Sequence, residues 1–197
     1  MRLFLAVTPP SEVLEDLVDF LEPRREAGAE LRWTDPEQVH LTLAFLPDVR
    51  RDVVPKLEEA LTDRLARVPA FAMQLAGSGA FPNPYAARVL FAGVGMGSDE
   101  LASLARATRH TAAHAGAEVD GGRFHPHLTV ARMRRPIEAT RWLRILQGYE
   151  SSGWLVDSVS LIESHLGQGR ERRPRYEPLA DFALAPPTGA TRDADSR

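Results

Sequence analysis

The stretch His125-Pro126-His127-Leu128-Thr129-Val130 repeats a pattern met earlier in this 197-residue chain, at His40-Leu41-Thr42-Leu43. Both copies read His-x-Thr-x, with Leu or Val at every x. Alternating β-formers of this kind predict a strand. In a strand, residues i and i+2 share a face, about 6.5–7 Å apart. His40 and Thr42 are therefore expected side by side on one face, with Leu41 and Leu43 turned into a core. His127 and Thr129 repeat the arrangement, backed by Leu128 and Val130. One such triplet carries little information, because a half-buried threonine and a hydrogen-bonded histidine account for it. Two triplets in the same apolar setting point to one site built by duplication.

Outward from the motifs, hydrophobic periods give the rest. Residues 2–7 read as a strand buried on both faces. Thr8-Pro9-Pro10 opens a helix with Thr8 as N-cap, and Val13, Leu14, Leu17, Val18 and Leu21 form its apolar stripe. The first motif strand is expected over residues 39–46, then a helix over 52–67 and a strand over 71–75. Residues 77–84, rich in Gly and Pro, predict a turn-rich connection, followed by a strand over 88–94. A helix over 98–114 is expected with Ser98 as its cap, before the second motif strand at 127–132. A helix over 136–146 and strands over 155–162 and 176–184 close the chain. The run 167–175 between those strands reads as a mobile loop, and residues 185–197 have the composition of a disordered tail. Both halves thus read helix, motif strand, helix, strand, strand. The expectation is α+β: two pseudo-symmetric lobes of antiparallel sheet with flanking helices, one bilobal domain over 1–184, and a central cleft carrying both motif strands.

Composition sets the outer limits. A hydrophobic share of 44% and a charged share of 26% belong to an ordinary soluble domain. The absence of cysteine excludes disulfides, thiol nucleophiles and Cys-based zinc sites. Met1 to Val7 is too short an apolar run for a signal peptide, and nothing approaches a membrane span, so a cytoplasmic protein with no membrane partner is expected. A net charge of −3 does not advertise nucleic-acid binding. Residues 121–175, however, hold ten Arg against five acids, and Lys56 is the only lysine of the chain. Guanidinium forks suit phosphate, although an Arg-rich composition also follows from genome base content.

Two histidines facing across a cleft make an acid–base pair, since an imidazole near pKa 6.5 either accepts or donates a proton at neutral pH. Two threonine hydroxyls donate hydrogen bonds to an oxyanion. A phosphate diester suits that set. No carboxylate cluster stands at metal-ligand spacing, and His125-x-His127 lacks a third ligand, so neither metal nor cofactor is expected. Metal-free chemistry favours a pre-activated ester such as a strained 2′,3′-cyclic phosphate. Arg132, further along the second motif strand, is expected on the face of Thr129, where it either neutralises phosphate or stays solvated. Phe45, Phe81 and Phe124 either stack a base or fill the core. His110, His114 and His165 read as surface residues, and Tyr176 as a strand residue.

The twin motifs resemble those of the 2H phosphoesterase superfamily. Flanking words narrow the resemblance to its RNA 2′,3′-cyclic phosphodiesterase (2′-5′ RNA ligase-like) branch: Arg32-Trp33, His40-Leu41-Thr42-Leu43-Ala44-Phe45-Leu46, Gly79-Ala80-Phe81-Pro82, residues 88–94, and Phe124 through Arg132. Ser164-x-Leu166 with Gly169 and Tyr176 looks like the closing segment. The resemblance implies a bilobal fold with His40 and His127 catalytic and Thr42 and Thr129 on the phosphate. It further implies hydrolysis of RNA 2′,3′-cyclic phosphate ends to 2′-phosphate, with 2′-5′ joining in some members. The 3′ oxygen then leaves, with His40 as acid and His127 as base; the residues alone do not say which is which. The partners implied are RNA or nucleotide ends bearing the cyclic phosphate, met by a monomer. Pro47 stands where a glycine commonly follows the first motif, and Phe91 replaces a common tryptophan. A small cyclic nucleotide as substrate, or a non-catalytic RNA- or nucleotide-binding module, are the alternative readings.

Overall fold

Strand alternation and helical stripes resolve into two four-stranded antiparallel sheets with helices behind them. The computed structural model describes residues 1–169 and 173–188. In chain order the elements are β1 (Leu3–Val7), α1 (Ser11–Arg25), β2 (Arg32–Trp33), β3 (Leu41–Leu46), α2 (Val54–Leu65), β4 (Phe71–Met73), β5 (Leu75–Phe81), β6 (Ala87–Val94), α3 (Ser98–Ala115), β7 (His127–Ile137), α4 (Thr140–Gln147), β8 (Trp154–Val156), β9 (Ser158–His165) and β10 (Arg175–Ala183). One sheet runs β10-β9-β1-β3 and the other β2-β7-β6-β5, with β4 and β8 a separate small ribbon. All pairings between these strands are antiparallel.

The two halves of the chain exchange their hairpins. Motif strand β3, from the first half, shares its sheet with β9 and β10 from the second. Motif strand β7, from the second half, shares its sheet with β5 and β6 from the first. The motif strands therefore lie in different sheets. Behind the sheets, Leu3, Leu5, Leu43, Leu57, Leu61, Leu90, Leu101 and Leu128 are fully or almost fully buried within one continuous apolar cluster. At about 1.5–3 kcal/mol for each fully buried aliphatic side chain, this cluster dominates the stability of both lobes. Among the described residues, no helix is long and apolar enough to cross a membrane.

Four local expectations are corrected. The first helix begins at Ser11, not after a Thr8 cap: Pro10 is the extended cap residue, and its carbonyl accepts from the Val13 and Leu14 amides. A residue preceding proline is pushed out of the helical region, which moves the start past both prolines. Ser98 does not cap α3; that position falls to Gly97, at φ +83°, a left-handed conformation that glycine adopts without penalty. The supposed turn at 77–84 is mostly strand β5. Its glycines serve a bulge between Leu75 and Ser78 and a close approach: a Cβ on Gly79 would lie 2.1 Å from the Phe91 ring. Finally, β7 runs on through Pro136 to Ile137, and the helix that follows is only eight residues long. Ala185, in the expected tail, exchanges backbone hydrogen bonds with Val68 and Ala70. Residues 189–197 of that tail, and 170–172 of the expected mobile loop, lie outside the described residues.

Candidate active site

Each motif strand carries a β-bulge one residue past its threonine. On β3, Thr42 pairs with Ala6 and Ala44 with Leu5, leaving Leu43 without a partner of its own. On β7, Thr129 pairs with Phe91 and Ala131 with Leu90, leaving Val130 extra. The bulge resets the alternation. Arg132 is three residues beyond Thr129, where a regular strand would turn it to the opposite face. With Val130 bulged, Arg132 pairs with Val89 and returns to the face of Thr129 and Phe91. On β3 the same device brings Phe45, opposite Phe4, to the face of Thr42.

Those faces line one cleft of about 610 Å³, with His40, Thr42 and Phe45 on one wall and His127, Thr129 and Arg132 on the other. The structure thus brings all five sequence-predicted site residues together. Arg2, Phe4, Arg32, Gln38, Arg173 and Tyr176 also line it, and the sequence alone does not single these out as site residues. The two-residue period of β1 would mark Arg2 and Phe4, but the strand reads as buried on both faces. Arg32 comes from β2, where it sits directly opposite Arg132. Like charges facing across a pair of strands repel, so an anion placed there relieves a standing cost. Phe81 and Phe124 do not line the cleft.

Both imidazoles are held in the same way. His40 Nδ1 lies 2.7 Å from the carbonyl oxygen of Gln38, and His127 Nδ1 lies 2.7 Å from that of His125. A carbonyl only accepts, so in each ring Nδ1 carries the proton and Nε2 is left for the cleft. Two aromatic rings then grip each imidazole. Phe4 stacks on His40 at 4.7 Å and Tyr176 meets it edge-on at 5.4 Å. Phe81 and Phe91 meet His127 edge-on at 5.0 and 5.3 Å. Burial pushes the pKa of His40 down to about 4, against the pull of the Gln38 carbonyl, with the charges of Arg132 and His127 adding to the fall. His127 is also lowered, again chiefly by burial, with the His125 carbonyl opposing and the charges of His125 and Arg132 adding. The Tyr176 hydroxyl is raised by burial, and Arg132 and Arg2 work against that rise.

The segment that supplies Gln38 is tied to the start of β10. Gln38 Nε2 donates to the Pro174 carbonyl at 2.6 Å, while Arg173 donates to the Trp33 carbonyl at 3.1 Å and to Asp35 at 2.7 Å. Elsewhere, His110 and His114 are exposed neighbours on α3, and His165 on β9 faces Glu177 at 3.2 Å. Among the described residues, no group of three or more His, Asp or Glu side chains is placed to hold a metal ion.

A cleft between two antiparallel sheets, entered from either side by a histidine–threonine strand, is the layout of a two-histidine phosphoesterase. A model of the 2′-5′ RNA ligase superfamily matches residues 9–168, and the chain belongs to that superfamily. An RNA 2′,3′-cyclic phosphodiesterase of Thermus thermophilus is 36% identical over 195 residues, covering 93% of this chain and 90% of the relative. The crystal structure of TT0787, also of Thermus thermophilus, matches with a TM-score of 0.76 at 30% identity, over 94% of this chain and 99% of the other. That of Escherichia coli LigT complexed with 3′-AMP gives 0.74 at 27% identity, over 93% and 97%.

Proposed function

We propose that this chain hydrolyses 2′,3′-cyclic phosphates at RNA ends to 2′-phosphates, using His40 and His127 as an acid–base pair without a metal or cofactor. Bare Nε2 of one imidazole takes a proton from water as the water oxygen bonds to phosphorus. The other imidazole, protonated at Nε2, delivers its proton to the 3′ oxygen as the P–O3′ bond breaks. The pair ends with its proton exchanged and returns to its starting state through solvent. His127 is assigned as base and His40 as acid. Thr42, Thr129 and Arg132 hold the non-bridging oxygens, where negative charge concentrates in the transition state. A 5′-hydroxyl taking the place of water would yield a 2′-5′ linkage.

The observation that carries this reading is the matched mounting of the two imidazoles. Each has Nδ1 fixed by a carbonyl two residues upstream and Nε2 left to one shared cleft. A module that only binds has no use for two such groups. Burial favours the neutral form of both rings in the free protein, and an arriving phosphate anion supplies the charge that lets one of them hold a proton. Arginines lining the cleft repel a divalent cation and attract the phosphate itself. The names of the relatives support the same substrate.

The test is product analysis on an oligonucleotide ending in 2′,3′-cyclic phosphate. A 2′-phosphate should form, and the rate should survive exhaustive chelation. An all-3′-phosphate product would reverse the assignment of the leaving group. A strict need for added divalent cation would overturn the two-histidine mechanism.

A further inference from the structure

The two walls of the cleft do not carry the same third residue. Past the bulge, β7 presents Arg132, whereas β3 presents Phe45 at the equivalent place. The β3 wall recovers a cation from the neighbouring strand. Arg2, which immediately precedes β1, lays its guanidinium carbon 4.2 Å above the centre of the Phe45 ring, and both residues line the cleft. Stacking of this kind holds the guanidinium plane while leaving its in-plane N–H donors for an anion. The Arg2 backbone is anchored as well, its carbonyl accepting from the Ser164 amide at 2.8 Å.

Arg2 is exposed, and among the described residues no carboxylate pairs with it. The contrast with Arg24 is informative. Arg24 also stacks on an aromatic ring, that of Phe20, but donates to the Phe20 carbonyl and so serves the fold. Arg2 has the stack without an internal acceptor among the described residues. Its position differs from that of Arg132 too. The charge of Arg132 acts on both imidazoles, at the reacting centre, while that of Arg2 acts on the Tyr176 hydroxyl, which Arg132 also reaches. Two cations in one cleft, Arg132 on the β7 wall and Arg2 over Phe45 on the β3 wall, suit two successive phosphates of one strand.

We propose that Arg2, mounted on Phe45, binds the internucleotide phosphate immediately 5′ of the terminal nucleotide, so that the cleft selects oligonucleotide ends over single nucleotides. This rests on the cyclic-phosphate reading given above. A nucleoside 2′,3′-cyclic monophosphate has no phosphate for Arg2 to hold; a dinucleotide with the same end has one.

The experiment compares three substrates: a nucleoside 2′,3′-cyclic monophosphate, the matching dinucleotide, and the dinucleotide with a neutral methylphosphonate linkage. In the native protein the methylphosphonate should lower kcat/KM about 10- to 30-fold, mostly through KM, the loss of one charge-assisted contact. Arg2→Gln should cause the same loss on the charged dinucleotide and no further loss on the methylphosphonate. Its effect on the monophosphate should stay within about threefold. The salt dependence of dinucleotide binding should flatten by about 0.7 in logarithmic slope. Arg2→Lys keeps the charge and should recover part of the affinity, with circular dichroism confirming the fold. Equal losses on all three substrates, or methylphosphonate and mutation effects that multiply, would overturn the proposal. Calorimetric binding of the dinucleotide carrying a terminal 2′-phosphate reads the same contact without turnover. If that binding depends on Arg2 and the charged linkage while no cyclic phosphate is opened, the hydrolytic reading fails and the Arg2 contact stands. If binding is indifferent to both, the contact fails whatever the turnover.

Discussion

The β3 and β7 walls of the cleft agree where chemistry demands a pair and differ where a substrate is asymmetric. Both carry a histidine mounted on the carbonyl two residues before it, a threonine beside it, and a bulge just past the threonine. They part at the third residue, Phe45 against Arg132, and in how each imidazole is gripped: a stacked Phe4 with an edge-on Tyr176 on one side, two edge-on rings on the other. Proton transfer needs two similar groups. A strand of RNA has a direction, and on the proposed reading the unlike third residues meet it.

The hardest test of the likeness is removal of either imidazole. His40→Ala and His127→Ala should each lower turnover per folded molecule about 10²–10⁴-fold. Because both serve one displacement, the double variant should be far less impaired than the product of the two losses. A folded His127→Ala protein with near-native turnover breaks the comparison outright. The likeness also has a pH signature. Burial lowers both pKa values, His40 to about 4, so the free protein holds a proton on one imidazole only on the acid side of their ordinary value near 6.5. The bell in kcat/KM should therefore lie between about 4 and 6.5, with the kcat bell higher because bound phosphate favours the protonated ring. A kcat/KM bell centred above neutrality would show that the rings are not sunk in this way.

The difference between the walls is sharpened by two smaller changes. Arg132→Gln should cost about 10²-fold in kcat, by removing a cation from the developing charge. Phe45→Leu takes away only the platform under Arg2 and should cost several-fold, chiefly in KM; equal effects would erase the distinction. Thr42→Val and Thr129→Val each delete one hydrogen bond to the phosphate and should cost about tenfold, by a similar factor on both walls. The smallest expected effect on rate is that of Gly79→Ala. Its Cβ would meet three atoms of the Phe91 ring at 2.1–2.9 Å, and of the two motif imidazoles that ring borders only His127, besides Phe81 and His125. It should lower stability by about 1–3 kcal/mol, seen as a lower thermal midpoint, and reduce turnover a few-fold.

Much of this is legible in the sequence because period-two apolar alternation and duplicated polar pairs are local signals. The motif strands, the histidine–threonine faces and the order of the helices about them need nothing further. What escapes depends on partners distant in the chain. Arg132 is on the face expected for it, but only through the register of β7 against β6, because a regular strand would point it the other way. Strand β5 reads as a turn because glycine is scored locally as a breaker, whereas Gly79 is dictated by the Phe91 ring from the facing strand. Arg2 is hidden by the apolar run that follows it, and Gln38 by lying in a 3-10 turn whose importance comes from Pro174, 136 residues away.

The exchange of hairpins between the two halves has a mechanical side. Each sheet contains strands from both halves, so the chain passes from one lobe to the other several times between β1 and β10. Nothing in such a weave acts as a single hinge. A protease cut in the connection between β6 and α3 would leave two fragments, the first keeping β3 with β1 but without β9 and β10, the second holding β7 without either of its partners, β2 and β6. They would stay interleaved as one particle or unfold together. The jaws of the cleft are stitched to each other by topology, and the distance between the two imidazoles is a property of the whole cloth.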